Sequence, residues 1–384
     1  MEAFEEIRPY RDSEVSHVLS QLIADREFHD TVARFRFPRL QNLCAPLGRT
    51  LVRAAVRNEI RGISDIPSFQ QVVKKYFDRV IASSTSGFTV SGAEHLESDA
   101  AYLFISNHRD IALDPAFVNI ALSSRGHDTA RIAIGDNLLS KPFAAHLMRL
   151  NKSFIVNRSA KGRQMLLATK NLSNYIRMSV MHEKVSVWLA QREGRAKDSL
   201  DKTEPAIIKM LSLSLDRKAE RFGDLISKLK IVPVSISYEW DPCDAFKATE
   251  LAVRTAGQTY EKGAHEDLRS IGAGIVGKKG AVHVHFGKVL QGDFTTPEEV
   301  ANAIDAQIWE NYMLHPSNFV AYEMRYGTAP ILSPNAGGKM IVSDRQVDTR
   351  AEIETRLGAL GSHVREFLLD IYANPVISRL KVAR

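Results

Sequence analysis

The chain has 384 residues, of which 44% are hydrophobic and 25% are charged, as in an ordinary globular protein. This length allows one large domain with appendages, or two domains, and a sizeable core that needs no covalent staples. Two widely separated cysteines, Cys44 and Cys243, argue against a disulfide framework or a zinc knuckle and fit a reducing compartment. The net charge of +6 favours anionic partners such as phosphorylated substrates, coenzyme A, acidic lipid or nucleic acid.

The N-terminal sequence, MEAFEEIRPYRDSEV, is acidic and polar and has neither the basic nor the apolar region of a signal peptide. We therefore expect no signal peptide. No stretch reaches 18 uninterrupted apolar residues, so we expect no transmembrane helix either. Both expectations are compatible with a protein that lies on a membrane surface.

Residues 1–86 have a helical pattern, with Val15, Val18, Leu19 and Leu22 at helical spacing near its start. Further along, the segment 28–61 mixes aromatic residues and leucines with arginines. Its arginines can attract an anionic membrane, at about 1 kcal/mol for each nearby basic residue. Alternatively, its apolar side chains pack on the core while the arginines stay solvated, and the sequence leaves both interpretations open.

From residue 87, short β-type runs alternate with helical patterns, which indicates an α/β fold. The predicted strands are Phe88–Ser91, Ala101–Ser106, Ala130–Ile134, Phe154–Asn157, Ser186–Ala190, Ile231–Tyr238 and Ala281–Phe286. The predicted helices between them are Pro115–Leu122, Ser159–Glu183 and Pro205–Leu215. We expect a mostly parallel or mixed central sheet flanked by helices, with helical N- and C-terminal extensions.

The remaining sequence completes the predicted organisation. Segment 241–280 is less regular, its residues 256–280 have the pattern of a loop-rich insertion before the last strand, and the chain after Pro297 has helical patterns. We therefore predict three parts, a helical N-terminal region over 1–86, an α/β core over 87–292 and a C-terminal helical extension over 293–384.

Chemically capable residues follow the second predicted strand. Asn107 and His108 come directly after its end, and two carboxylates, Asp110 and Asp114, follow. A histidine that a carboxylate holds in one tautomer can act as a general base. With 12 histidines in the chain, such a pair also arises by chance, and no second His or Cys lies nearby to complete a metal site.

Basic residues follow two further strands. Arg158 lies between a strand end and a predicted helix start, a position that favours a phosphate. Glu193, Gly194, Arg195 and Lys197 form a polar turn after the next strand, where the glycine permits a tight backbone and the cations can clamp a phosphate. Taken singly, each group is equally consistent with solvated surface charge.

A proline, Pro233, interrupts the apolar run Ile231–Tyr238 and implies a sheet edge, a bulge or the end of a strand. It supplies no reactive group, so we expect it to shape a pocket wall. In a mostly parallel sheet the strand ends meet along one edge, so the base, the cations and this wall are expected to line one cleft.

In this order, the four clusters resemble the sequence blocks of the glycerolipid acyltransferases, which include glycerol-3-phosphate, lysophosphatidic acid and lysophospholipid acyltransferases. The matching blocks are Asn107-His108 with Asp114, Phe154-Ile155-Val156-Asn157-Arg158, Glu193-Gly194-Arg195, and Ile231-Val232-Pro233-Val234. The resemblance covers roughly residues 87–292. The family's first block has four residues between His and Asp, whereas five separate His108 from Asp114 and one separates it from Asp110. We expect a bulge at the helix start to restore the contact with Asp114.

The resemblance implies an O-acyltransferase that moves a fatty acyl group from acyl-CoA or acyl carrier protein to a hydroxyl of a phosphorylated glycerol or lysolipid. His108 would be the general base and Asp114 would hold its imidazole. The substrate-binding residues that the resemblance implies are Arg158, Glu193, Gly194, Arg195 and Lys197. We expect no metal, cofactor or nucleic-acid partner, and a cytoplasmic protein that is peripheral on the inner face of the cell membrane.

Three other interpretations remain open from the sequence. The acceptor can be a non-glycerol lysolipid, such as an amino-acid-containing lipid. The protein can be a basic lipid-binding protein without enzymatic activity. A serine hydrolase that uses Ser106 or Ser153 with His108 is a third interpretation, although the sequence lacks a Gly-x-Ser-x-Gly elbow.

Overall fold

The computed structural model describes residues 4–37, 44–139, 141–216, 218–263, 266–330 and 346–382. The strands are β1 Thr85–Ser91, β2 Leu103–Ser106, β3 Arg131–Gly135, β4 Ser153–Val156, β5 Val187–Ala190, β6 Ile231–Tyr238 and β7 Gly280–Phe286. The helices are α1 Asp12–Ala24, α2 Arg26–Arg36, α3 Ala45–Glu59, α4 Ile66–Ser84, α5 Leu113–Ser124, α6 Pro142–Leu150, α7 Gly162–Arg177, α8 Pro205–Leu211, α9 Phe222–Lys228, α10 Asp244–Thr255, α11 Glu266–Val276, α12 Pro297–Asn311, α13 Pro316–Tyr326, α14 Gln346–Gly358 and α15 Ser362–Val382. Each of the seven predicted strands is present at nearly the predicted residues.

The chain divides into two compact units. One unit comprises Met1–Asp78 and Arg131–Leu172, and the other comprises Arg79–Ala130 and Ser173–Arg384. The division of the sequence into 1–86, 87–292 and 293–384 stays a prediction.

The second unit is built on a mixed sheet with the strand order β1-β7-β6-β2-β5. Its neighbours are parallel except for β6 and β7, which are antiparallel. Strands β2 and β6 are buried along their whole length, as expected for parallel strands with apolar runs that are covered on both faces. The predicted α/β class with a mixed sheet and flanking helices is therefore confirmed. Because β2, β5 and β6 run in the same direction, the residues that follow β2 and β5 lie at one edge of this sheet.

The prediction of a sheet edge at Pro233 is wrong, because β6 lies between β2 and β7 in the interior of the sheet. Proline is tolerated there because of where the pairing with β7 stops. The last paired residues are Val234 and Phe286, and the carbonyl of Pro233 accepts from Gly287 N–H at 2.8 Å, just past the end of β7. The missing N–H of Pro233 therefore falls at the end of that ladder and not in its middle.

The loop-rich insertion predicted at 256–280 is also wrong, because this stretch contains α11, and the less regular segment 241–280 also contains α10. In α10, three charged residues, Asp244, Lys247 and Glu250, are buried, so the helix lacks a clean apolar stripe in its sequence. Helix α11 contains Gly272 and Gly274, which lower its intrinsic helix propensity. Both helices form because tertiary contacts stabilise them, although these features weaken the helical pattern of each sequence.

The first unit packs α1, α2, α4 and α6 around a small apolar core beside the parallel pair β3–β4. All four predicted apolar residues of α1 are buried in that core, together with Phe28, Ile66, Phe69 and Leu150. In the segment 28–61, Phe28 packs inside, whereas Leu47 and Leu51 on α3 are 48% and 46% exposed. Its residues 38–43 lie outside the described residues.

Neither the long helix α4 nor any other described helix combines the length and the apolar character that crossing a bilayer requires. Membrane contact by residues 1–86 stays a prediction.

A ladder of polar side chains around the buried His283 joins β1 and β7 in the second unit. The ring of His283 contacts Thr89 Oγ1 through Nδ1 at 2.7 Å and Ser91 Oγ through Nε2 at 2.8 Å. Nearby, His315 Nε2 contacts Ser237 Oγ at 3.1 Å. Burial lowers the pKa of His283 from 6.5 to about 4 and that of His315 to about 3. Both imidazoles are therefore neutral in the folded protein near neutral pH.

We expect the buried His283 and His315 to make the protein lose stability as the pH falls from 6.5 to 5. The unfolded chain binds a proton at each of these histidines as the pH falls below about 6.5, but the folded protein does not until near pH 4 or 3. Each unit of pKa difference is worth about 1.4 kcal/mol. In urea unfolding as a function of pH, His283→Gln should flatten the dependence, whereas the exposed His182→Gln should not. Parallel curves for His283→Gln and the unchanged protein would contradict this expectation.

Candidate active site

The residue after β2, Asn107, fixes the turn in which the predicted base lies. Its side-chain amide pairs with the backbone of Ile236 on β6, as the backbone of a neighbouring strand would. Nδ2 donates to the Ile236 carbonyl at 2.9 Å, and Oδ1 accepts from Ile236 N–H at 2.7 Å. The same Nδ2 donates to Asp201 Oδ2 at 3.1 Å. Asn107 is fully buried. The turn that begins at His108 is therefore anchored to the neighbouring strand β6.

His108 lies directly against Asp114. Its Nδ1 is 2.8 Å from Asp114 Oδ2, and the imidazole is 13% exposed whereas the carboxylate is inaccessible. The imidazole and the indole ring of Trp188, on β5, pack in a T-shaped arrangement at 5.9 Å between centroids. An imidazole held in this way keeps its other nitrogen, Nε2, available for a proton.

Asp114 accepts hydrogen bonds from three further donors. Its Oδ2 accepts from the backbone N–H of Arg109 at 2.5 Å and of Asp110 at 2.9 Å, and its Oδ1 accepts from the Tyr238 hydroxyl at 2.7 Å. Burial, reinforced by the charge of Asp114, raises the pKa of Tyr238 well above its usual value, so the phenol remains a donor. Asp114 also lies in the first turn of α5, where the helix dipole favours a negative charge.

The second candidate carboxylate, Asp110, does not contact the imidazole. Its Oδ1 accepts from the N–H groups of Ala112 and Leu113 at 2.9 and 2.8 Å and so closes the turn before α5. This turn takes up the extra residue between His108 and the aspartate that pairs with it. Burial, followed by the charge of Asp114, raises the pKa of Asp110. Its Oδ2 abuts Gly274 of α11, where an added Cβ would lie 2.1 Å away.

The loop after β5 comes next to His108. Gly194 has a φ of +71°, a left-handed conformation that favours glycine, and Glu193 beside it is exposed. Two residues beyond Gly194, the N–H of Ala196 donates to the His108 carbonyl at 3.0 Å. Arg195 precedes Ala196, so its backbone is one residue away from this hydrogen bond to the histidine turn.

Arg195 and Lys197 differ in what they contact. Arg195 Nη1 is buried and has no hydrogen-bond partner among the described residues. By contrast, Lys197 Nζ donates to Glu250 Oε2 at 2.5 Å, and burial lowers the pKa of Lys197. Of these two predicted phosphate ligands, Arg195 therefore keeps a hydrogen-bond donor for a ligand, whereas the ammonium group of Lys197 is already paired.

Arg158 belongs to the other compact unit, so its approach to His108 stays a prediction. Within its own unit, the backbone N–H of Arg158 donates to Asp136 Oδ1 at 3.2 Å. Its guanidinium packs against Gly135, where an added Cβ would lie 2.9 Å from Nε.

Ser106 is poorly placed to be a nucleophile. It is fully buried, its Oγ donates to the Asn107 carbonyl at 2.8 Å, and it accepts from Trp188 Nε1 at 3.0 Å. Ser153, the other serine considered, lies buried on β4 in the unit that does not contain His108. These positions give the serine hydrolase interpretation no support.

Sequence reasoning missed a buried ionic network beneath the histidine turn. Arg109 Nη2 donates to Asp201 Oδ2 at 2.5 Å, and Lys247 Nζ donates to the Arg109 carbonyl at 2.8 Å and also to Asp241. Burial opposes the charge of Arg109, but the carboxylates, Asp201 foremost, raise its pKa above the usual value. The sequence holds no signal for this pairing, because 92 residues separate Arg109 from Asp201.

Within the part of the chain that the structure describes, no three His, Cys, Asp or Glu side chains are grouped so as to hold a metal ion. The site therefore offers a His–Asp pair, a buried tyrosine that supports the aspartate, and a guanidinium nearby. Such a set can accept a proton and bind an anion.

A match to a protein family agrees with this chemistry. Residues 87–237 match the model of the family described as Acyltransferase. No curated protein matches the chain. The chain is similar to a solved structure, the 1-acyl-sn-glycerophosphate (LPA) acyltransferase PlsC from Thermotoga maritima, at 16% identity over 73% of this chain and 93% of that chain, with a TM-score of 0.35. At that TM-score the likeness supports no conclusion about fold or substrate.

Removing one partner of the ionic network should lower the stability strongly, and removing both partners should restore most of it. In Arg109→Met, the Asp201 carboxylate stays buried without its cation, so we expect the free energy of unfolding to fall by about 3–5 kcal/mol. In Arg109→Met/Asp201→Leu, which removes both charges, most of this loss should be recovered. Urea denaturation measures both values. A loss below about 1 kcal/mol in the single variant would show that the pair is not buried as a charged unit.

Proposed function

We propose that this protein moves a fatty acyl group from a thioester, acyl-CoA or acyl carrier protein, to a hydroxyl. The acceptor is a phosphorylated glycerol or a lysolipid. The match of residues 87–237 to the acyltransferase family model supports the proposal. The observation that carries it is the 2.8 Å contact between His108 Nδ1 and a fully buried Asp114, within those matched residues.

In this proposal His108 is the general base and no acyl-enzyme forms. Its Nε2 takes the proton from the acceptor hydroxyl as the oxygen attacks the thioester carbonyl. The tetrahedral intermediate then collapses, the C–S bond breaks, and the imidazolium returns the proton to the leaving thiolate. Asp114 keeps Nδ1 protonated and stabilises the positive charge that the imidazole acquires.

Arg195 is the proposed phosphate ligand. Its Nη1 is buried and has no partner among the described residues, which supports this role. Arg195 lies in the loop whose next residue, Ala196, bonds to the His108 backbone. Lys197 is already paired with Glu250, so we assign it a smaller share of the phosphate contact. Gly194 gives the loop its left-handed turn, Glu193 orients the acceptor, and Arg158 contributes a second cation.

We also propose that the protein works as a peripheral protein on the inner face of the cell membrane, since donor and acceptor are both amphiphiles. Exposed leucines on α3, Leu47 and Leu51, together with the exposed Arg53 and Arg57, support such a contact.

Removing the imidazole tests the reaction directly. We expect His108→Ala to lower kcat by about 100- to 10,000-fold, the usual contribution of a positioned base. The assay follows labelled acyl-CoA or acyl carrier protein against glycerol-3-phosphate, lysophosphatidic acid, lysophospholipids and an amino-acid-containing lysolipid. His182→Ala, at an exposed histidine, is the matched control.

Full activity in His108→Ala would eliminate the base mechanism. Failure of the unchanged protein to acylate any acceptor in the panel, while it still binds lipid, would favour the non-enzymatic interpretation. A burst of acyl-enzyme that Ser106→Ala abolishes would restore the serine hydrolase.

Arg195 should matter for binding more than for chemistry. A charge-assisted hydrogen bond is worth about 1.5–3 kcal/mol, so Arg195→Gln should raise KM for the phosphorylated acceptor by roughly 10- to 100-fold with a smaller change in kcat. Arg192→Gln, in the same loop but paired with Glu204, serves as the control. Equal KM values for Arg195→Gln and the unchanged protein would remove Arg195 from the phosphate site.

A further inference from the structure

The first two turns of α7 carry apolar side chains that no described residue covers. Every residue from Lys161 to Leu167 is exposed, and the first buried residue of the helix is Leu172. Met165, Leu166 and Leu167 are 54%, 58% and 58% exposed. Single exposed leucines are ordinary on protein surfaces, but a contiguous group of large apolar side chains indicates a surface that contacts another body.

The outward side of this helix is basic as well as apolar. Arg163, Leu166, Leu167 and Lys170 follow the i, i+3, i+4, i+7 spacing and so share one side, which we name the α7 outer face. No described carboxylate forms an ion pair with Lys161, Arg163 or Lys170. Leucines set between unpaired cations are the pattern of a helix that lies in the interface of an anionic bilayer.

The sequence on both sides of the α7 outer face is also basic. Residues 137–182 contain eight Lys and Arg residues and no Asp or Glu, although the chain as a whole has 45 acidic residues. Several of these cations have partners inside the fold, as Lys141 has in Glu27 and Arg177 in Glu220. Those on the α7 outer face do not, so their positive charge is directed to the surface.

We propose that the α7 outer face docks on an anionic lipid bilayer, with Leu166 and Leu167 entering the acyl-chain boundary and Arg163 and Lys170 contacting lipid phosphates. The inference deepens the proposed peripheral membrane location and rests on it, but it needs no acyl transfer. A second copy of the chain is a poorer occupant, because a symmetric contact would bring the same unpaired cations together.

Vesicle flotation of the full chain tests this surface. The probes are vesicles of phosphatidylcholine alone and of phosphatidylcholine with phosphatidylglycerol. We expect the unchanged protein to prefer the anionic vesicles, and both Leu166→Gln/Leu167→Gln and Arg163→Gln/Lys170→Gln to lower the bound fraction at least about fivefold.

The matched control is Leu268→Gln/Val276→Gln. These residues on α11 are 57% and 65% exposed, but that helix begins with two acidic residues, Glu266 and Asp267. Its binding should equal that of the unchanged protein. Circular dichroism and thermal unfolding confirm that each variant is folded.

Three results would overturn the proposal: unchanged flotation of Leu166→Gln/Leu167→Gln, equal binding of the unchanged protein to neutral and anionic vesicles, or a self-association that the leucine variant abolishes. The last result would assign the face to a second copy. Flotation is independent of catalysis, so a protein that floats as expected but transfers no acyl group contradicts the proposed reaction and leaves this surface standing.

Discussion

The proposed chemistry depends on one carboxylate, that of Asp114. It is fully buried and accepts from His108 Nδ1, two backbone amides and the Tyr238 hydroxyl. An ionised carboxylate only accepts hydrogen bonds, so this contact puts the imidazole proton on Nδ1 and leaves Nε2 as the acceptor. The four donors offset the cost of burying the charge. Without any one of them, the orientation of the base would be less strictly determined.

The two residues that flank His108 explain how the turn stays in place. Asn107 and Arg109 both contact Asp201, and Lys247 holds the carbonyl of Arg109 from α10. Buried ion pairs add little net stability compared with apolar packing, but they are costly to break singly. We interpret this network as the part of the structure that keeps the imidazole in one position. A general base that is held in place in this way contributes more to catalysis than a mobile one.

Much of the fold could be predicted from the sequence, because buried parallel strands are visible as apolar runs and the polar residues after them mark strand ends. His108 and its partner Asp114 were visible for the same reason. Tyr238 was not, since 124 residues separate it from Asp114 and nothing local signals the contact. Helix α11 was missed because Gly274 lowers its propensity, yet this glycine is what allows Asp110 to pack against the helix. Contacts of this kind exist only once the chain is folded.

The tautomer of His108 tests the account most directly. Heteronuclear NMR of the protein with nitrogen-labelled histidine distinguishes a protonated from an unprotonated ring nitrogen, and Asp114→Ala identifies the shift that depends on the carboxylate. We predict that the neutral imidazole carries its proton on Nδ1 and has a bare Nε2. A proton on Nε2 with Nδ1 unprotonated would contradict the account, because the imidazole could then neither donate to Asp114 nor accept the proton of an acceptor hydroxyl.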